Sequence, residues 1–275
     1  MSGEGDAAAR LRALLEGGKG AWPSPIEHHA VLGSTSDRLK DWARAGAPDL
    51  AVVLADAQVA GRGRQGKTWT SPPGNLYVSV LLRPRGALAG LVPLLGGVAA
   101  CTALVSLGVK ARLKWPNDVL VLGPPERKIA GILAEASSGP KGVEWVALGI
   151  GVNVDPQEPL PAGATSVREE TGQAFAPVAV AAEVLGELRL WYHRQAAGPA
   201  HHLLAAWRER SIPWWGRLVE APRGDQVIRG IATDIDHDGA LLLELPGGQV
   251  LRVVSGEVSR VRLVGDAPSS DRVAD

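Results

Sequence analysis

The chain has 275 residues, enough for one large domain or for a medium and a small one, each with a buried core. Its 29 Lys and Arg residues balance 29 Asp and Glu residues, and this zero net charge disfavours bulk electrostatic binding to DNA or to a membrane surface. The single cysteine, Cys101, excludes a disulfide framework and a cysteine-based metal cluster, and it favours a reducing cytoplasm.

The first 22 residues predict a tail or a short helix. Residues 7–18, AAARLRALLEGG, have one helical pattern and end in glycines that suit a helix C-cap. The extreme N-terminus lacks an apolar signal core, so export is not expected. The segment before the first predicted strand is too short for the packed helices of a helix-turn-helix, so we expect no operator-binding function.

A strand, a helix and a second strand come next. Residues 26–31 favour a strand, and the following GSTSDRLKDWARAG predicts a helix that Ser34 or Ser36 can cap and that ends near Gly46. Residues 50–55 are apolar and branched, which is typical of a buried strand. Gln58 lies where this strand passes into a loop.

That loop, QVAGRGRQGKTW, runs from Gln58 to Trp69 and mixes glycines with cations. The glycines are Gly61, Gly63 and Gly66, and the cations are Arg62, Arg64 and Lys67. Glycine permits positive φ and close approach of the backbone to a ligand. The pattern therefore predicts an anion site made of guanidinium groups and backbone N–H groups. A solvated loop or a nucleic-acid-binding segment is the alternative, and the spacing differs from that of a P-loop.

A third strand is predicted at residues 75–82, followed by an uncharged stretch at 87–109. A stretch of roughly 20 uncharged residues can span a bilayer. However, Pro93, Gly96 and Gly97 interrupt it, and cations flank both ends without a clear bias. We therefore predict a buried helix beneath a sheet.

Residues 109–122 predict two strands folded about the turn pair Pro116-Asn117. Lys114 and Asp118 flank that turn in the motif KWPNDV, and a plain ion pair between them is one interpretation. Strands at 127–137 and 143–154 are predicted to complete the sheet, with Gly131, Gly149 and Gly151 allowing close approach of the backbone to a ligand.

Two helices are predicted at 178–193 and 199–210, and from Arg217 the pattern changes to five short branched strands separated by turn pairs. The predicted segments are 1–22, an N-terminal tail or short helix; 23–211, the larger domain; 212–265, a small β domain; and 266–275, a flexible tail.

Four motifs in a fixed order, GRGR, KWPND, KIAGILAE and GIGVNV, resemble those of the biotin protein ligases, from about Gly33 to the C-terminal strands. Proteins of that family join biotin to a lysine of a carrier domain through biotinyl-AMP. The resemblance implies an α+β fold with a mixed β-sheet flanked by helices, like that of class II synthetases, followed by a small SH3-like C-terminal β-barrel.

The resemblance further implies biotin and ATP as substrates and Mg²⁺ as the metal. The implied partner is a biotin carboxyl carrier protein domain of acetyl-CoA carboxylase or a related carboxylase. A cytoplasmic enzyme that binds neither DNA nor membrane is expected, and a homodimer is one option for its assembly.

Roles for individual residues also follow from the resemblance. The implied biotin-binding residues are Ser34, Thr35, Ser36, Gln58, Gly61, Arg62, Gly63, Arg64, Lys128 and Gly131. The implied ATP- and adenylate-binding residues are Arg64, Lys67, Trp69, Lys114, Asn117 and Asn153. The implied catalytic residues are Arg62, Arg64, Lys114, Asp118 and Lys128.

Within these sets, Ser34 and Thr35 are expected to hydrogen-bond the ring system of biotin, whereas Ser36 replaces the usual Asn. Lys128 is expected to contact the carboxylate and then the acyl phosphate. Asp118 either serves the incoming lysine amine or contacts Mg²⁺, and the sequence leaves both options open.

In the same way, Trp69 is expected to stack on the adenine and Asn153 to contact the edge of that base. Trp115 is predicted to lie in the core.

Two other functions compete with this prediction. A lipoate or octanoate ligase has a similar fold and the same adenylate chemistry, although the combination of GRGR and KWPND disfavours it. A nucleic-acid-binding module would use the Gly/Arg loop and the barrel, and the zero net charge argues against it.

Overall fold

The structure is a computed structural model that describes residues 4–140, 142–198, 200–223, 226–257 and 261–264. The predicted tail at 266–275 lies outside the described residues. Within these described residues there are two β-sheets and six α-helices, and a cleft opens between the two sheets.

The first sheet is mixed and has seven strands. They are β1 Ile26–Leu32, β2 Val52–Gln58, β3 Leu76–Leu82, β4 Ala111–Lys114, β5 Asp118–Val121, β6 Arg127–Gly139 and β7 Gly142–Val152. Their order is β1-β2-β3-β7-β6-β5-β4, with β1 and β2 parallel and the other neighbours antiparallel. The predicted turn at Pro116-Asn117 joins β4 to β5 and aligns Lys114 with Asp118 across the hairpin.

The helices pack mainly beneath this sheet. They are α1 Glu4–Leu14, α2 Thr35–Arg44, α3 Leu88–Ser106, α4 Val167–Thr171, α5 Pro177–Ala197 and α6 His201–Arg210. Helix α3 is long and apolar enough to cross a membrane, but 67% of its apolar window is buried within the protein. It packs on β6, β7, α5 and α6, as predicted for a core helix. A Cβ on its Gly96 would lie 2.9 Å from Leu148, which shows how closely the helix approaches the sheet.

The segment before β1 packs against the core. Leu11 of α1 and Leu15 of the following π-helical turn are fully buried. The indole of Trp22 donates a hydrogen bond to the carbonyl of Leu50 (2.8 Å), and Lys19 pairs with Glu187 (3.0 Å) on α5. This part of the chain is therefore an integral layer of the larger domain.

The second sheet is antiparallel and has five strands. They are β8 Leu218–Arg223, β9 Gln226–Ile235, β10 Leu241–Glu244, β11 Val250–Val253 and β12 Arg262–Leu263. Their order is β11-β10-β9-β8-β12, and among the described residues the outer strands β11 and β12 do not pair. Five strands were predicted and five are present, whereas closure into an SH3-like barrel stays a prediction.

Several contacts join the second sheet to the larger domain. The fully buried Trp115, predicted to lie in the core, donates its indole N–H to the carbonyl of Gly239 (3.0 Å). Arg208 of α6 pairs with Asp234 of β9 and donates to the carbonyl of Ile235 (2.8 Å). The predicted boundary after residue 211 falls between α6 and β8, and it too stays a prediction.

Candidate active site

A cleft of about 1280 Å³ opens where the β2–β3 loop, the β4–β5 turn and the start of β6 meet. All the site residues predicted from the sequence line this cleft except Gly61. Arg217 and Arg262, beside and within the second sheet, also lie on its wall. The fold thus brings together residues that are more than a hundred positions apart in the sequence.

The Gly/Arg loop between β2 and β3 folds back on itself. The N–H of Trp69 donates to the carbonyl of Gly61 (2.9 Å), and the N–H of Gly63 donates to the carbonyl of Lys67 (2.7 Å). Gly66 has a φ of +75°, in the left-handed region that favours glycine. This folding directs Arg62, Arg64 and Lys67 to the cleft.

Gly61 lies at the base of the loop, away from the cleft wall. A Cβ at this position would lie 2.3 Å from the carbonyl oxygen of Trp69 and 2.4 Å from the hydroxyl of Ser71. The absence of a side chain thus allows the two ends of the loop to meet. This is a structural reason for glycine, and contact of Gly61 with biotin stays a prediction.

Two glycines on neighbouring strands form a seat for the indole of Trp69. Gly131 on β6 and Gly151 on β7 are register partners. A Cβ would lie 2.9 Å from the indole if placed on Gly131 and 2.7 Å from it if placed on Gly151. The sequence assigned these glycines to close approach of a ligand, and the group that approaches them here is Trp69.

The floor of the cleft carries an ion pair between two neighbouring strands. Lys128 Nζ lies 2.6 Å from Asp118 Oδ1, and the same ammonium lies 5.1 Å from the centre of the Trp69 ring. Such a cation–π arrangement is attractive. Asp118 and the indole together orient the Lys128 ammonium within the cleft.

Arg64 lies beside this pair and connects the two sheets. Its guanidinium donates to Asn117 Oδ1 (3.1 Å) and to the carbonyl of Ser255, which follows β11. Burial lowers the pKa of Arg64, and the attraction of the Asp118 carboxylate opposes that shift. Because arginine ionises far above neutral pH, the guanidinium remains charged.

Lys114 and Asp118 do not form the plain turn ion pair that was one interpretation of their spacing. Lys114 Nζ pairs instead with Glu126 Oε2 (2.7 Å), and Asp118 pairs with Lys128. The chain thus places two separate ion pairs side by side along the cleft. Each contains one lysine predicted to contact phosphate.

Arg62 makes a different set of contacts at the other side of the loop. Its guanidinium pairs with Glu135 and lies 3.1 Å from Asp37 on α2. Lys40 bonds both of these carboxylates, at 2.8 Å to Asp37 and 3.2 Å to Glu135. Arg62 and Arg64 therefore line one cleft but contact different walls.

A hydroxyl-rich pocket lies at the start of α2. Thr35 Oγ1 lies 2.8 Å and Ser36 Oγ 3.1 Å from the hydroxyl of the fully buried Ser79. Gln58 Oε1 accepts the backbone N–H of Thr35 (2.8 Å). Ser34 occupies the N-cap position without a side-chain capping bond, so capping does not account for its hydroxyl.

Asn153 lies buried at the opposite end of the cleft. Its side-chain amide donates to the carbonyl of Thr165 (2.9 Å), which joins the end of β7 to the segment before α4. The neighbouring cleft wall is formed by residues 160–164. Contact of Asn153 with adenine stays a prediction.

Four polar residues of this region were not identified from the sequence. They are Asp37, Ser79, Glu126 and Glu135. Ser79 leaves a signal, because it is the single serine within the largely apolar strand NLYVSVLL. The three acids leave none, because the cleft cations that they contact, Arg62 and Lys114, lie on other segments of the chain.

Comparisons with protein families and with known proteins both indicate the biotin protein ligases. Residues 29–155 match the Biotin/lipoate A/B protein ligase family, and residues 215–261 match the Biotin protein ligase C terminal domain. The chain is 36% identical over 267 residues to the biotin--[acetyl-CoA-carboxylase] ligase of Mycobacterium tuberculosis, covering 92% of this chain and 94% of the relative. It is 37% identical over 210 residues to that of Paracoccus denitrificans, covering 72% and 86% respectively.

Among solved structures, the chain is similar to the Aquifex aeolicus biotin protein ligase in complex with biotin and ATP. The TM-score is 0.74 at 28% identity, and the likeness covers 87% of this chain and 99% of that one. The similarity therefore spans both sheets and the cleft between them.

Replacing Gly151 by Ala tests the seat of Trp69. The added Cβ would overlap the indole, so we expect Trp69 to be displaced. The rate at which the protein attaches biotin to a carrier domain should then fall about tenfold or more, the scale of misplacing a cleft residue. Amide exchange across the β2–β3 loop should accelerate while the circular dichroism spectrum stays unchanged. The control is Gly17→Ala, where nothing lies within 4 Å of the added Cβ. Normal activity of Gly151→Ala would contradict the role of the glycine seat.

Proposed function

This chain belongs to the biotin protein ligase family, and from that premise we propose that its cleft forms biotinyl-5′-AMP and transfers biotin to a lysine of a carrier protein. The proposal goes beyond family membership by assigning each step to particular residues. The observation that supports it most directly is the approach of Arg64, Lys114 and Lys128, from three separate segments, to one cleft.

In the first step, the biotin carboxylate attacks the α-phosphorus of ATP and pyrophosphate leaves. Negative charge builds up on phosphate oxygens, and fixed cations stabilise it without a nucleophilic side chain. Lys128 is positioned for the carboxylate and the acyl phosphate, because Asp118 and Trp69 orient its ammonium. Arg64 and Lys114 supply further positive charge, and Arg62 joins them if it exchanges Asp37 and Glu135 for phosphate.

The hydroxyl pocket is the proposed site for the ring system of biotin. Its ureido group has two N–H donors and one carbonyl acceptor, and the Ser34, Thr35 and Ser36 hydroxyls can pair with such groups. Gln58 orients Thr35 by accepting its N–H, and it can present the remaining amide hydrogen. The smaller Ser36 leaves more room than the usual Asn.

In the second step, the amine of the carrier lysine attacks the acyl carbon and AMP leaves. The amine must be neutral to attack, so a carboxylate that accepts its proton or positions it favours this step. Asp118 is the proposed group. Its ion pair with Lys128 supports this assignment, because Lys128 is the proposed ligand of the acyl phosphate.

Mg²⁺ is the proposed metal, bound mainly by the phosphates of ATP. The carboxylates that the cleft lining offers it are those of Asp118 and Glu126, and one or two carboxylates together with substrate phosphates suit this ion. When bound, Mg²⁺ shares the charge of the departing pyrophosphate. Within the described residues, the other group of candidate ligands is Asp236, His237 and Asp238, where Arg252 already pairs with both carboxylates.

The names of the relatives support a biotin carboxyl carrier protein domain of acetyl-CoA carboxylase as the acceptor. A cytoplasmic location and a homodimer belong to the proposal as well.

The function is tested by incubating the protein with biotin and ATP and measuring the small molecule that it retains. We expect biotinyl-AMP by mass spectrometry, and biotin on the lysine of an added carrier domain. Lipoate offered in place of biotin should give no adenylate. An adenylate formed from lipoate alone would favour the rival ligase, and formation of neither would refute adenylation.

Replacing Arg64 by Ala should leave the fold intact and cut formation or retention of biotinyl-AMP tenfold or more, the scale of losing one electrostatic donor. Retained adenylate is measured after rapid gel filtration. A suitable control is Arg44→Ala, since Arg44 is exposed on α2 and pairs only locally with Asp41. Wild-type turnover in Arg64→Ala would remove the loop from the mechanism.

Replacing Asp118 by Asn should spare adenylate synthesis more than transfer, because the amide cannot take up the proton of the acceptor lysine. Single-turnover assays follow each step separately, the second starting from preformed biotinyl-AMP and carrier domain. Equal losses in the two steps would show that Asp118 serves both, as an ion-pair partner or a Mg²⁺ contact.

A further inference from the structure

Glu126 lines the cleft, and apart from offering a carboxylate to Mg²⁺ it has no role in the two proposed steps. It lies immediately before β6, two positions from Lys128, and its Oε2 lies 2.7 Å from Lys114 Nζ. The side chains of Lys114 and Glu126 are 19% and 25% exposed, so both are largely enclosed by the protein. Lys114 is expected to contact the phosphates of ATP. Its ion pair with Glu126 therefore affects how the ammonium binds them.

The contacts around the Lys114–Glu126 pair show how Glu126 keeps Lys114 apart from Asp118. Lys114 and Asp118 are register partners across the β4–β5 hairpin, yet each bonds a residue that begins or precedes β6. Without Glu126, the nearest hairpin carboxylate to Lys114 is that of Asp118, which already pairs with Lys128. Glu126 thus keeps the two lysines separate, each with its own acid.

We propose that Glu126 is a positioning residue for Lys114 and a counter-charge that sets how tightly the cleft binds the polyphosphate of ATP. This inference rests on the proposed function, in which Lys114 contacts phosphate. Two opposing effects follow from one carboxylate. It restrains a long, flexible side chain in the cleft, and its negative charge repels the incoming phosphates.

Two substitutions separate these effects. In Glu126→Gln the amide oxygen still accepts a hydrogen bond from Lys114 while the negative charge is removed. In Glu126→Ala both the charge and the hydrogen-bond acceptor are lost. Charge repulsion is therefore relieved in both variants, whereas Lys114 loses its restraint only in the second.

The experiment measures steady-state formation of biotinyl-AMP with ATP, biotin and Mg²⁺ varied in turn while the other two are saturating. For Glu126→Gln we expect the KM for ATP to fall about threefold, the scale of a partly exposed charge interaction, with kcat within about twofold of wild type. For Glu126→Ala we expect kcat to fall about fivefold or more, because Lys114 must be ordered in each turnover. The KM for biotin should be unchanged in both.

The matched control is Glu183→Gln, because Glu183 also pairs with a lysine, Lys19 (3.3 Å), and lies away from the cleft wall. Thermal denaturation of all variants shows whether they fold. An unchanged KM for ATP in Glu126→Gln would overturn the proposed role of Glu126 as a counter-charge. A rise in that KM together with a higher Mg²⁺ requirement would overturn it too, and would identify Glu126 as a metal ligand.

Identical kinetics of the Gln and Ala variants would overturn the positioning role. A wild-type protein that makes no biotinyl-AMP would refute the proposed function itself, and that result is seen before any variant is compared.

Discussion

The ion pair between Asp118 and Lys128, at 2.6 Å, is the interaction on which the cleft depends. It joins the first residue of β5 to the second residue of β6, and it orients the Lys128 ammonium, to which we assign the acyl phosphate. Lys114 and Arg62 are also paired with acids in the cleft region. Lys114 pairs with Glu126, and Arg62 pairs with Asp37 and Glu135. Lys128, Lys114 and Arg62 are thus each paired with a carboxylate before an anionic substrate enters the cleft. In the proposed reaction the polyphosphate of ATP must compete with these carboxylates, and bound Mg²⁺ would reduce the charge that has to be matched.

The fold supplies this arrangement by bringing distant segments to one side of a mixed sheet. The core helix α3 supports the sheet from below, and the paired glycines Gly131 and Gly151 leave room for Trp69 above it. The second sheet completes the wall, since the Ser255 carbonyl accepts a hydrogen bond from Arg64. A single residue of the Gly/Arg loop therefore contacts both parts of the molecule, so the orientation of the second sheet influences where that guanidinium points.

Much of this structure could be predicted from local pattern. The uncharged stretch became the buried helix α3 because no charged residue interrupts its apolar surface, and Pro116-Asn117 became the β4–β5 turn. The four motifs located the cleft, because each lies at a strand end or in the loop beside one. What could not be predicted are pairings through space. The spacing of Lys114 and Asp118 suggests a bond between them, yet the neighbouring strand provides Glu126 and Lys128 as closer partners. The seat under Trp69 likewise needs the register of β6 against β7, which one sequence does not reveal.

The central claim is that cations from separate segments converge on one acyl phosphate, and a crystal structure with a non-hydrolysable sulfamoyl analogue of biotinyl-AMP tests it most directly. The account predicts that Arg64 and Lys128 lie within hydrogen-bond distance, about 2.7–3.2 Å, of the oxygens that replace the phosphate. It also predicts the biotin ring among Ser34, Thr35 and Ser36. An analogue bound with its sulfamoyl group away from both cations would contradict the account.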